Sequence, residues 1–214
     1  MMKAILFIML FVITMQHTSC GQHGNKQQPR TNKLVGGGCD GCEIMYTNMP
    51  TQINEVDTSY GWGKKGEKLK VEGTVYLKDG KTPAANIIIY YWQTNADGLY
   101  APSATEQTRH GAIRGWMKTG ADGKYTMYTI KPASYPKSSI PAHIHYLIKE
   151  PDLNEYYIDD IYFEGDPFLT EAERKKIPLR CGSGIVKLNV HSDGILYCKR
   201  DIVLGLNIPD YPEN

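Results

Sequence analysis

Two histidines separated by one residue, in Pro141-Ala142-His143-Ile144-His145-Tyr146, are the sharpest chemical signal in this chain of 214 residues. The apolar run that follows them reads as a strand, and residues two apart in a strand point to the same face. Both imidazoles then converge on one point while Ile144 turns the other way. A shared metal ion is one occupant of that point; two histidines on a solvated face is the other reading, and spacing alone leaves both open. The second signal is Cys39-Asp40-Gly41-Cys42. Its spacing serves redox or metal chemistry, but no alternating strand and helix pattern surrounds it, which favours a structural disulfide. His110, between Arg109 and Gly111, faces either a pocket or solvent, and His191, beside the Ser192-Asp193-Gly194 turn, reads as solvated.

The elements that must carry these residues are strands. Apolar and β-branched runs punctuated by turn residues predict them at 69–77, 86–93, 124–130, 143–148, 156–163, 184–190 and 195–206. One short helix is expected to start at Thr170, where Thr170 and Glu173 have capping-box spacing. The fold class is therefore all-β, a two-sheet β-sandwich with long loops and one short helix. Cys181 and Cys198 flank a segment whose turn predicts a hairpin with ends able to meet and be bridged. Tyr90, Tyr91, Tyr125, Tyr128, Tyr146 and Tyr162 are assigned to packing, and Trp92 and Trp116 to the core.

Four stretches in order, TNADGLY, GWMKTGADGKYTMYTIKPASYP, IPAHIHYLI and IYFEGDP, together resemble the intradiol ring-cleavage dioxygenases over roughly residues 69–206. The resemblance implies a sandwich of the intradiol type over 35–214 and a ferric, non-haem iron held by two tyrosines and two histidines. Laid on this sequence, those ligands are Tyr100, Tyr135, His143 and His145. Fe(III) is a hard ion that favours anionic oxygen donors, and coordination removes the phenol proton of tyrosine near neutrality. The implied partners are a small catecholic aromatic and O2, and the implied reaction opens the ring between its two hydroxylated carbons. The resemblance gives Tyr135 the role of the ligand that moves aside for substrate.

Two departures from the family pattern bear on turnover. Ile140 stands where the family has an arginine before PAHIH, and Asp160 stands where it commonly has a glutamine. Both changes run against stabilising negative charge, and a deleted group of that kind costs roughly 3–4 kcal/mol. Compensation would fall to Lys137, Arg109 or Arg114. The alternative function is thus an iron- or catechol-binding β-sandwich module of the cell envelope without turnover. A transthyretin-like reading of GTVYLKDGKTPAANIIIYYW leaves PAHIHY unexplained.

With 24 Lys and Arg against 23 Asp and Glu, and no basic stripe, the chain lacks the electrostatic footprint of a nucleic-acid binder. The segment from Ala4 to Met15, behind Lys3, is an apolar run of about 12 residues where a spanning helix needs roughly 20. It reads as a signal peptide over 1–19. His17-Thr18-Ser19-Cys20 then implies a lipoprotein anchor at Cys20, with cleavage and secretion or an uncleaved anchor as alternatives, and a flexible tether over 20–34. Export to the cell envelope is the expected localisation, with membrane contact only through that lipid. Monomer and dimer remain equal expectations.

Overall fold

The computed structural model describes residues 34–102 and 108–213; the signal-peptide segment, Cys20 and the tether as far as residue 33 lie outside the described residues. The longest strand shows why a sandwich forms. Along β2 (Lys68–Tyr76) every second residue is buried, which presents one apolar face and one wet one. It pairs antiparallel with β5 (Lys124–Ile130), from Lys68 opposite Ile130 to Thr74 opposite Lys124. The first sheet is completed by β1 (Val56–Thr58), β10 (Asn189–Val190), β11 (Leu196–Lys199) and β12 (Ile202–Val203).

The second sheet has the order β4 (Arg114–Lys118), β3 (Ile88–Gln93), β6 (His143–Lys149), β8 (Ile161–Phe163) and β9 (Ile185–Val186), with β7 (Tyr156–Tyr157) also paired to β6. Its inner face contributes Ile89, Tyr91, Ile144, Tyr146 and Ile148 to a core shared with Leu69, Val71, Val75 and Met127 of the first sheet. Its outer face carries Tyr90, Trp92 and Leu147, covered by Cys42 and Met45 from the 3-10 turn Cys42–Tyr46. The alternation that buries Ile144 therefore sends His143 and His145 to this second, smaller cluster.

The all-β sandwich and its short helix are as expected, and Thr170 Oγ1 accepts a hydrogen bond from the Glu173 amide at 3.3 Å. Four expectations need correction. The 184–190 run is not one strand: β9 belongs to the second sheet and β10 to the first, so the chain changes layers at Lys187-Leu188. The hairpin is therefore short, pairing only Asn189 with Tyr197 and Val190 with Leu196. Its ends do not place Cys181 opposite Cys198; both are buried free thiols, pushed up to about 12 by burial, which makes them poor nucleophiles. The 156–163 run likewise divides into β7 and β8, both on β6, and the 195–206 run into β11 and β12, both on β2. Strands β1 and β4 carry little apolar alternation. β4 contains Gly115, where a Cβ would collide with the Asp57 carboxylate that accepts from the Tyr91 hydroxyl at 2.6 Å.

Candidate metal centre

Strand register brings the first two groups together. In the antiparallel pairs, Trp92 lies opposite His145 and Tyr162 opposite His143. The Trp92 and His145 rings stack with centroids 4.6 Å apart, and the two imidazoles meet edge to face, their Nε2 atoms 3.1 Å from one another. Extending the β8 register by one residue places Asp160 beside His145, whose Nδ1 lies 3.1 Å from Asp160 Oδ1. His143 Nδ1 lies 2.7 Å from the Pro141 carbonyl oxygen. A carbonyl and a carboxylate both accept, so each Nδ1 carries a proton, and in the neutral ring it is Nε2 that offers the lone pair. Burial, then the neighbouring His145, holds the His143 pKa below the usual histidine range, which keeps that ring neutral.

Two loops supply the other groups. The Asn95 turn is closed by hydrogen bonds from the Asp97 and Leu99 amides to Asn95 Oδ1, at 2.9 and 3.0 Å, and it delivers Tyr100. The loop after β5 delivers Tyr135 and is tied to the first by the Thr94 hydroxyl donating to the Ala133 carbonyl at 2.7 Å and by the Ala133 amide donating to the Asn95 carbonyl at 3.1 Å. Gly98 sits at the crossing with φ +76°, where a Cβ would strike the Ser134 carbonyl. Gly98→Ala should therefore cost at least about 1–3 kcal/mol. A urea melt of the variant checks this, and an unchanged stability would mean that the two loops are not in contact.

The four side chains meet. The Tyr100 and Tyr135 hydroxyls are 2.7 Å apart, Tyr100 is 3.1 Å from His145 Nε2, and Tyr135 is 3.4 Å from His143 Nε2. Donors on adjacent positions of one ion, at bonds of about 2.0–2.1 Å, would be separated by roughly 2.8–3.4 Å from right-angled to tetrahedral arrangements. The three contacts that involve an imidazole fall in that range, and the two hydrogen-bonded phenols need only part slightly, so the set fits a single cation. The proton count agrees, because two phenolic hydrogens are all that this cluster of four heteroatoms holds, and both can leave. Burial, then contact with Tyr135, pushes the Tyr100 phenol well above its ordinary value. A cation reverses that preference by stabilising the phenolate.

Asp160 was legible only as a departure; the structure makes it the partner of His145. Among the described residues, ligand atoms of His143, His145 and Asp160 lie within 4.8 Å of one another. Asp160, however, contacts Nδ1, on the other side of the ring from the Nε2 that meets Tyr100, so it orients the His145 ring rather than joining the four converging groups. Asp160→Ala should weaken ferric-ion affinity about 10- to 100-fold, measured by competition with a chelator; unchanged affinity would remove Asp160 from this role.

Other placements depart from the sequence reading. Tyr162, assigned to packing, is half-buried with its hydroxyl 3.4 Å from Asp160 Oδ2 and its ring 5.9 Å from that of His143. Trp92 is buried as expected, but between two imidazoles: His110 stacks on its other face at 4.0 Å. His110 is thus neither a pocket wall nor a surface residue, and its Nδ1 lies 2.9 Å from the Tyr90 hydroxyl. His191 is exposed, with its side chain 63% accessible. Arg114 serves the carbonyls of Ile44 and Thr47, and Arg109 pairs with Asp40 at 3.1 Å, so both compensating arginines are engaged elsewhere. Lys137 is exposed.

Burial holds His110 down to about 4. The unfolded chain, with the ordinary histidine value near 6.5, then binds more protons than the folded one between pH 6.5 and 4. Stability should fall by up to about 3 kcal/mol as pH drops through that window. His110→Gln should flatten this part of the pH profile of urea unfolding, and an identical profile would contradict a buried neutral ring.

Beside the quartet lies a cavity of about 570 Å³, with His145, Asp160, Trp92 and Tyr162 in its wall. Residues 44–177 match the family model described as Dioxygenase, a span that contains all four converging side chains. The chain belongs to the intradiol dioxygenase family. It is 33% identical over 115 residues to the protocatechuate 3,4-dioxygenase beta chain of Burkholderia cepacia, covering 49% of this chain and 48% of that one. It is 31% identical over 120 residues to catechol 1,2-dioxygenase 1 of Acinetobacter lwoffii, covering 47% and 37%. The chain thus spans about half the length, or less, of these curated relatives. Among solved structures, the dioxygenase domain of a carbohydrate-binding fusion from Streptomyces sp. SirexAA-E superposes with a TM-score of 0.55 at 24% identity, covering 73% of this chain and 91% of that one. Catechol 1,2-dioxygenase from Pseudomonas arvilla C-1 gives 0.55 at 17% identity, covering 80% and 60%. These likenesses establish the sandwich fold of this family member.

Proposed function

We propose that this chain is a non-haem Fe(III) dioxygenase that opens catechol-type rings between the two hydroxylated carbons. Both atoms of O2 enter the product, one carbon–carbon bond breaks, and a muconate-type diacid results. The observation that carries the reading is the convergence of two phenolic oxygens and two Nε2 lone pairs, with both Nδ1 protons committed to Pro141 and Asp160. Tyr100, Tyr135, His143 and His145 would hold the ion, which has a formal charge of +1 after both phenols ionise. When bound, ferric iron supplies a Lewis acid that makes the catecholate ring attackable by O2.

The chain's own residues do the rest. Pro141 and Asp160 accept from each Nδ1, which turns both Nε2 atoms toward the tyrosines. Tyr135 sits half-exposed on a loop, not on a strand, which supports its role as the group that gives way to substrate and, as phenolate, takes up one catechol proton. Trp92 and Leu169 close apolar parts of the cavity wall and exclude water around the ring. Localisation belongs to the same proposal: an envelope protein anchored through Cys20. The disulfide joining Cys39 and Cys42 supports maturation in an oxidising compartment.

Ile140 and Asp160 favour the binding module as the second reading, because each leaves less positive charge around the substrate than the family pattern has. The deciding experiment loads the chain with ferric iron and records its visible spectrum before and after adding catechol under air. The enzyme reading expects tyrosinate-to-iron colour, a shift with catechol and a ring-opened product. A shifted band without product supports the binder, and a colourless, iron-free protein sinks the ligand assignment and with it the enzyme reading.

A further inference from the structure

The cavity beside the metal centre is built for something larger and less charged than a catechol carboxylate. Its volume is about 570 Å³, within the roughly 300–1,000 Å³ of cavities that bury drug-sized molecules, and a bare catechol ring leaves most of it unfilled. The wall that would meet a ring substituent is apolar: Ile140, Pro141, Leu169, Ile177 and Pro178. Ile140 is 49% exposed, a large aliphatic side chain left in water at the cavity's edge, where covering it would be favourable.

Charge points the same way. Of the two cationic side chains in the wall, Lys176 is offset by Glu173 at 2.5 Å, and Arg180 turns its guanidinium to the Gly36 carbonyl, a neutral partner. Asp159 and Asp160 add two more carboxylates around the same space, one more than Arg180 balances. A carboxylated ring entering here would face a wall of net like charge, and such juxtapositions are costly.

We infer that this site selects catechols bearing a bulky, uncharged apolar substituent, such as a second ring, and discriminates against catechol carboxylates. The inference rests on the dioxygenase reading above and names the substrate class of that same site.

The test uses the iron-loaded full chain, first without oxygen, titrated calorimetrically with catechol, 3,4-dihydroxybenzoate and 4-phenylcatechol, then with oxygen to follow turnover. The expected order is phenylcatechol at least tenfold tighter than catechol, with the carboxylate weakest. Ile140→Arg should move the ratio of carboxylate to phenylcatechol affinity at least tenfold toward the carboxylate. Ile177→Ala, a smaller change, should weaken phenylcatechol more than catechol and serves if the arginine variant does not fold. Equal affinities, or tighter binding of the carboxylate, overturn the selectivity whether or not the ring is cleaved. The expected binding order without any product overturns the enzyme reading and leaves the selectivity standing. No binding of any of the three overturns both.

Discussion

His145→Ala is expected to leave a folded chain that no longer retains ferric iron. The imidazole contributes one of two Nε2 lone pairs, and its removal also deprives Asp160 of the Nδ1 proton donor that holds it in place. Affinity should fall by more than the roughly 10- to 100-fold that an outer partner costs, so dialysis against a mild chelator should strip the metal, colour and turnover together. The fold should survive, because the substitution loses one stacked contact on Trp92, worth about 0.5–1.5 kcal/mol beyond the area it covers, and none of the inter-sheet core. Metal analysis after dialysis, with a thermal melt alongside, decides it. A variant that keeps its iron would show that the ion is held elsewhere.

Tyr135→Phe separates holding the ion from using it. Phenylalanine keeps the ring against His143, whose centroid lies 5.5 Å away, but removes the oxygen that meets both Tyr100 and His143. Three donors remain, so iron should still bind, with a weaker and shifted visible band. Turnover should fall roughly 10²- to 10⁴-fold, the range over which a positioned proton acceptor contributes. The measurement is single-turnover kinetics on iron-matched samples. Parent-like turnover would exclude the Tyr135 hydroxyl as proton acceptor; complete loss of iron would make it a holding group.

The histidine pair, the β-class and the short capped helix were legible in the sequence because each is local. Strand periodicity decides that His143 and His145 share a face, and a hydroxyl three residues ahead of an amide decides a cap. The tyrosines were reachable only through resemblance: among 15 of them, no spacing distinguishes Tyr100 and Tyr135 from those that pack. Their contact depends on Gly98 passing the Ser134 carbonyl, an encounter between loops that have no common periodicity.

The rest was decided by tertiary structure, for one recurring reason: register between strands far apart in sequence is not written in either strand alone. It converts Asp160 from a loss of family pattern into the partner that orients His145, and it places Trp92 between His145 and His110. It also moves the chain from one sheet to the other at Lys187-Leu188, which leaves Cys181 and Cys198 unbridged although their flanking turn invites a hairpin. Side-chain type and local spacing determine which groups are available for chemistry here. Which of them share a point in space is set by how two sheets pair and pack, because alternation fixes a face but not the neighbour that lies across it.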